Sequence, residues 1–200
     1  SFQENRISLT PDSVGLLIDS GHSVIVENNA GEASNFSNQE YIDKGAEIVF
    51  SKNEVYKANI IVKIEPPTSK EISLMHNNQK LISAVQINTQ SKEFFNKLNK
   101  KNITSFGYEF IKDNHNKLPF VRIMSEIAGN TSMLIAGEYL SNINQGKGLM
   151  LGGISGLIPT NVVVIGAGTS GRASIVETSR VGTNMTANNF LGFSDAAYSD

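Results

Sequence analysis

The segment with the most legible chemistry is Asn161-Val162-Val163-Val164-Ile165 running into Gly166-Ala167-Gly168-Thr169-Ser170-Gly171, with a helix-compatible stretch, Arg172 to Ser179, behind it. Strand, glycine loop and helix in this order form a phosphate cradle. Gly166 makes the tight turn, Gly168 lets a diphosphate reach the backbone, and Gly171 lets helix and strand pack closely. The amides of Thr169, Ser170 and Gly171, at the helix start, then face the anion with the positive end of the helix dipole. A glycine-rich turn in an unrelated α/β fold is the alternative. Such a cradle calls for a ribose-binding residue roughly 20 positions further on, where the sequence offers Asn189. An amide can bond a hydroxyl but carries no charge to repel a 2′-phosphate, so NAD and NADP both stay open.

Other chemistry is thinly represented. The chain has no cysteine, which excludes disulfides and thiolate chemistry and fits a reducing cytosol. His22, His76 and His115 have no partners at metal-ligand spacing, so no metal is expected. A net charge of −2 leaves no basic field for nucleic acid. The cluster Lys97, Lys100 and Lys101 falls at a helix end, where it complements the dipole. No apolar run approaches the roughly 18 residues of a membrane span, and Ser1 to Arg6 does not resemble a signal peptide, so a soluble, cytoplasmic protein is expected. A first residue other than Met and a stop soon after the glycine loop suggest a fragment.

The elements that must position these groups alternate. Thr10 caps a helix with Pro11 at its first position and Gly21 as its stop. Ser37 to Glu40, Ser51 to Glu54 and Thr68 to Glu71 each match a capping box, in which hydroxyl and carboxylate satisfy two backbone donors reciprocally. Between the helices lie β-branched runs at 23–27, 46–50, 59–64, 80–87 and 103–110, the run Ile60-Ile61-Val62 reading as a strand buried on both sides. The fold class is therefore α/β: a parallel-sheet domain with helices on both faces, then a long helix over 124–144. Ala128, Ile135, Tyr139 and Ile143 mark that helix's apolar face, and Gly129, Ala136 and Gly137 permit close packing. The domain boundary is placed on or near it.

Six segments in order, spanning about residues 4 to 176, together resemble the alanine dehydrogenase and proton-translocating transhydrogenase alpha-subunit family. They are Glu4-Asn5-Arg6-Ile7-Ser8-Leu9-Thr10-Pro11, Gly21 to Glu27, Ile61 to Pro67, Met124-Ser125-Glu126-Ile127-Ala128-Gly129, Gly148 to Gly153, and the glycine loop. The resemblance implies a substrate domain over 1–123. It further implies a connecting helix and an incomplete NAD-binding Rossmann domain over 124–200, NAD as cofactor, and a homo-oligomer. It assigns Arg6 to the substrate carboxylate, for which a guanidinium gives a bidentate clamp, and Ser125 to the cofactor, with a helix N-cap as the other reading.

Two positions depart from the dehydrogenase pattern. Glu65 stands where the family's second carboxylate-binding residue is lysine. Lys63, two residues earlier and on the same side of a strand, is the candidate substitute, with a strand-end lysine reaching to water as the alternative. Gln86 stands where the family has its acid/base histidine. An amide can orient a carbonyl or water but exchanges no protons near neutral pH.

The leading expectation is an NAD-dependent dehydrogenase acting on a small amino or keto acid, alanine being the type substrate. A transhydrogenase alpha-type subunit, partnered with a membrane subunit, accommodates Gln86 without an amino-acid site. A binding module without turnover is the third reading, and these 200 residues alone are expected to be inactive.

Overall fold

A computed structural model describes residues 4–152, 156, 160–180 and 184–188. The chain divides into two compact units, Ser1–Ile111 and Lys112–Asp200.

In the first unit each helix begins where a side chain can take up a free backbone N–H. Helix α1 (Pro11–Asp19) starts at Thr10, whose hydroxyl accepts from the Ser13 amide, and ends before Gly21 at φ +85°. Strand β1 (Ile25–Glu27) pairs in parallel with β2 (Glu47–Val49) across helix α2 (Asn38–Asp43). Val14, Tyr41 and Ala46 form the core beneath them. The short helix α3 (Lys52–Val55) leads into β3 (Ile60–Val62), α4 (Ser69–Leu74), β4 (Lys80–Ser83), α5 (Lys92–Lys100) and β5 (Thr104–Gly107). The last three strands form a parallel sheet in the order β3-β4-β5. Its buried face carries Ile61 and Leu81, packed against Tyr56, Ile72, Met75, Val85, Phe94 and Leu98. Full burial of one such side chain contributes about 1.5–3 kcal/mol, so this cluster is the main anchor of the unit.

Two of the three expected capping boxes form. Ser37 with Glu40, and Thr68 with Glu71, exchange both bonds. Ser51 caps α3 through the Asn53 amide, one residue earlier than a box requires, on a helix of only four residues. Ile60-Ile61-Val62 is not buried on both sides: β3 is an edge strand, with Ile61 inside and Ile60 and Val62 exposed. The lysines at the end of α5 do more than complement its dipole. The Lys101 ammonium donates to the Ser73 and Met75 carbonyls and so closes the end of α4, while Lys97 reaches Ser69.

The second unit contains α6 (Pro119–Leu140), a 3-10 turn (Asn142–Asn144), β6 (Asn161–Ile165), α7 (Thr169–Arg180) and β7 (Asn184–Asn188). Strands β6 and β7 are parallel, Asn161 facing Asn184 and Ile165 facing Asn188. The polar run 184–188 thus forms a strand on backbone pairing despite its poor composition. Strand β6, although wholly apolar after Asn161, alternates between half-buried Val162 and Val164 and exposed Val163 and Ile165, because α7 covers one of its faces.

Helix α6 begins five residues ahead of the expected start. Pro119 at its first turn is the cause, since proline needs no helical N–H partner there. Its expected apolar face is also displaced: Ile135, Tyr139 and Ile143, the last in the turn beyond the helix, are exposed, and Gly129 and Met133 are the buried residues. Small size decides this. A Cβ on Gly129 would lie 2.2 Å from the Ser170 carbonyl oxygen, so α6 meets the first turn of α7 backbone to backbone. The Ser174 hydroxyl bridges the contact, donating to the Gly129 carbonyl at 3.0 Å and lying 3.0 Å from the Ser132 hydroxyl.

Among the described residues no helix is long and apolar enough to cross a membrane.

Candidate functional site

In the first unit the candidate residues gather at the C-terminal ends of β3, β4 and β5, the edge where open parallel sheets receive ligands. Strand β5 stops at Gly107, short of its expected end, because Tyr108–Phe110 turns into a single 3-10 turn. That turn ties the other two strand ends together. The Tyr108 hydroxyl donates to the Ile64 carbonyl beyond β3 at 2.8 Å. The Glu109 carboxylate accepts the Val85 and Gln86 amides beyond β4 at 2.7 and 2.8 Å, both at Oε1.

Gln86 therefore does not continue β4, which ends at Ser83 instead of reaching Ile87. Its backbone is left-handed, φ +51°. For a residue with a Cβ this costs about 1–2 kcal/mol. Hydrogen bonds to a charged acceptor contribute about 1.5–3 kcal/mol each, so the two bonds to Glu109 outweigh the strain. The Gln86 side chain stands exposed, its amide oxygen 3.5 Å from the Thr89 hydroxyl.

Arg6 precedes α1. Its Nε donates to Glu4 Oε1 at 2.7 Å and its Nη2 to Glu4 Oε2 at 2.5 Å, while its own amide also reaches Glu4. This bidentate pair holds the Glu4 carboxyl below the usual carboxylate range and raises the proton affinity of the guanidinium. Half of the Arg6 side chain is exposed against 13% of Glu4, so the carboxylate is the inner partner. The Glu65 carboxylate acts electrostatically on Arg6, which puts the arginine within electrostatic reach of the chain beyond β3. Burial pushes the Tyr108 phenol upward and Arg6 pulls it back.

Lys63 lies just beyond β3, its side chain mostly buried, with Nζ 2.8 Å from Glu71 Oε2. Burial pushes Glu71 upward. The Lys63 ammonium and the Thr68 amide and hydroxyl outweigh it and hold the carboxyl at about 2. Lys52 adds a longer contact of 3.4 Å. Lys63 is thus tied into the capping box of α4, while Glu65 is the residue whose charge acts on Arg6.

In the second unit the glycine loop has the shape of an anion cradle. Gly166 turns at φ +107°, closed to other residue types. A Cβ on Gly171 would strike the Gly166 carbonyl oxygen at 2.0 Å, so the helix start presses on the turn. Among the described residues, a Cβ on Gly166 or Gly168 would meet nothing within 4 Å, so these leave the outer side of the loop open. The Arg172 amide bonds the Gly168 carbonyl at 3.0 Å, the first helical bond of α7. The amides before it lie at the positive end of a twelve-residue helix, where backbone N–H groups and the helix dipole favour an anion. Ser125 is the seventh residue of α6, one turn before Gly129 on the same face, which rules out its reading as an N-cap. Asn189 lies outside the described residues.

His22 is exposed at the end of α1, His76 packs Nδ1 on the Asn77 carbonyl, and His115 sits in the Asp113–Lys117 turn. Among the described residues no three His, Asp or Glu side chains are grouped so as to hold a metal ion. The sequence reading missed Glu4, Tyr108 and Glu109. Glu4 was legible from its spacing to Arg6. The other two act through a turn that interrupts an apparent strand, a feature without a local signature.

Comparison with known proteins matches both parts of the chain to one family. The family model described as alanine dehydrogenase/PNT, N-terminal domain, matches residues 1–128, and that of the C-terminal domain matches residues 132–190. Alanine dehydrogenase 2 of Staphylococcus aureus (strain USA300) is 33% identical over 168 residues, covering 84% of this chain and 45% of that protein. The alanine dehydrogenase of Methanococcus maripaludis is 36% identical over 169 residues with the same coverage. The chain therefore spans about half the length of these relatives. A solved L-alanine dehydrogenase superposes with a TM-score of 0.87 at 30% identity, covering 92% of this chain and 51% of that one. A transhydrogenase from Sinorhizobium meliloti shares the fold, with a TM-score of 0.77 at 22% identity over 92% of this chain and 55% of that one.

Proposed function

Since the chain belongs to the alanine dehydrogenase/PNT family, we propose that it forms the substrate-binding part and the start of the cofactor domain of an NAD-dependent amino-acid dehydrogenase. The reaction is of the alanine dehydrogenase type, L-alanine, NAD and water giving pyruvate, ammonia and NADH. The observation that carries this reading is the glycine loop, open over Gly168 and closed behind Gly171.

In this reading residues 1–123 hold the substrate, and residues 124–200 supply the connecting helix and the first part of the NAD-binding domain. Arg6 receives the substrate carboxylate through a guanidinium that Glu4 has already oriented. Lys63 is the second candidate for that carboxylate, reached by leaving Glu71. Gln86 orients the carbonyl or a water at the strand ends without exchanging a proton. The amides of Gly168, Thr169, Ser170 and Gly171 hold the cofactor diphosphate, with Ser125 and Asn189 as further contacts. The nicotinamide, when bound, supplies hydride acceptance. A cytoplasmic homo-oligomer is the assembly that accompanies this reading.

The test is NADH formation from L-alanine by the full-length gene product, paired with a fluorescence titration of NADH. Turnover that saturates in alanine is expected. NADH binding without alanine turnover would instead favour a transhydrogenase alpha-type subunit that partners a membrane subunit. The specific observation behind this second reading is Gln86 at the acid/base position, where it offers no titratable group.

A further inference from the structure

Gln86 owes its position to a residue 23 places away in the chain. Both the Val85 and the Gln86 amide converge on one oxygen of Glu109, and Gln86 is left-handed only there, at the point where β4 would otherwise run on. The other oxygen, Oε2, is shut off from solvent and has no hydrogen-bond partner among the described residues. Among the described residues Glu109 makes no ion pair, and its hydrogen bonds go to those two amides. Gly107 makes room for it: a Cβ there would stand 2.9 Å from Oε2. The adjacent Tyr108, fixed to the Ile64 carbonyl, stops the turn from sliding along the strand ends.

We infer that Glu109 is a positioning residue for the strand-end site, holding the Val85–Gln86 backbone so that the Gln86 side-chain carboxamide is presented to substrate from a left-handed turn. The inference rests on the dehydrogenase reading for the word substrate, and on the described hydrogen bonds for the clamp itself. Without the carboxylate the two amides lose their acceptor, the turn relaxes toward extended backbone, and the side chain at 86 swings to the other face of the sheet. Gln at 109 keeps an acceptor oxygen at the same reach and therefore keeps the turn.

The experiment uses the full-length gene product and has two arms. In hydrogen exchange followed by mass spectrometry, the peptide containing Val85 and Gln86 should exchange at least tenfold faster in Glu109→Ala than in wild type, with Glu109→Gln close to wild type. Unchanged exchange in Glu109→Ala would overturn the clamp. In steady-state kinetics with pyruvate, ammonia and NADH, Glu109→Ala should lower kcat/KM for pyruvate at least tenfold and leave KM for NADH within twofold. In a Gln86→Ala background the same substitution should cost less than twofold, because the residue it acts through is gone. An equal loss in both backgrounds would assign Glu109 a general structural role and overturn the positioning role. Should the wild-type protein not turn over alanine or pyruvate, the proposed function fails, and the exchange arm still decides whether Glu109 holds Gln86.

Discussion

The α-carbon of Gly129 and the carbonyl of Ser170 are so close that a single methyl group on the glycine would stand 2.2 Å from the Ser170 oxygen. Ser170 belongs to the first turn of α7, whose amides are the proposed anion site. The long helix therefore sets the position of that turn directly, through backbone.

Gly129→Ala should accordingly displace that turn. Overpacking of this kind costs about 1–3 kcal/mol, and a lowered melting temperature with at least tenfold weaker NADH binding is expected. Gly137→Ala, on the same helix, meets only the Leu151 side chain at 3.4 Å, an ordinary contact. It should leave both quantities unchanged or raise stability slightly, since alanine is the better helix former. Calorimetry and an NADH titration on the two variants separate close packing from helix propensity.

The glycine loop itself can be dissected in the same way. Gly171→Ala drives a Cβ into the Gly166 carbonyl and should destabilise the protein measurably. Gly168→Ala places its Cβ in open space and should leave the melting temperature within about one degree while weakening NADH at least tenfold, because the side chain enters the volume of the diphosphate. Equal NADH affinity of Gly168→Ala and wild type would remove the loop from cofactor binding.

Arg6 should be needed for substrate affinity and not for cofactor affinity. In the full-length protein Arg6→Ala is expected to raise the KM for alanine by at least tenfold, and Arg6→Lys by nearly as much, since an ammonium cannot copy the planar fork. Alanine kinetics unchanged in Arg6→Ala would exclude the arginine from the substrate site. Glu4→Gln should give a smaller rise, reflecting a guanidinium held less firmly.

Acid should weaken the first unit through Glu71. Its folded value of about 2 lies below the ordinary 4.5, so its contribution to stability is complete above about pH 4.5. It shrinks as the pH falls and is gone below about 2. At 1.36 kcal/mol per unit the full contribution is about 3 kcal/mol, shared among Lys63, Thr68 and the burial that opposes them. Denaturant melts of wild type and Glu71→Gln should differ by that order at pH 6 and converge near pH 2. A difference that persists at pH 2 would assign the effect to packing instead of charge.

Local chemistry written in a few adjacent residues determined much of this protein. Thr10 with Pro11, Ser37 with Glu40 and Thr68 with Glu71 start their helices, because a cap is a bond between residues three apart. Gly166 and Gly171 shape the loop locally too, through a positive φ and a close approach that a Cβ would block. Tertiary structure decided what depends on distant partners. Strand β4 ends at Ser83 and Gln86 turns left-handed, its amide and that of Val85 taken up by Glu109 from beyond β5. Helix α6 turns its small face inward, leaving Tyr139 outside, because α7 approaches at Gly129. Lys63 is held by Glu71, eight residues further along the chain, a partner that the strand read alone does not supply. Hydrogen-bond geometry over three or four residues is encoded locally, whereas the choice among competing acceptors and packing faces is made only when the elements meet.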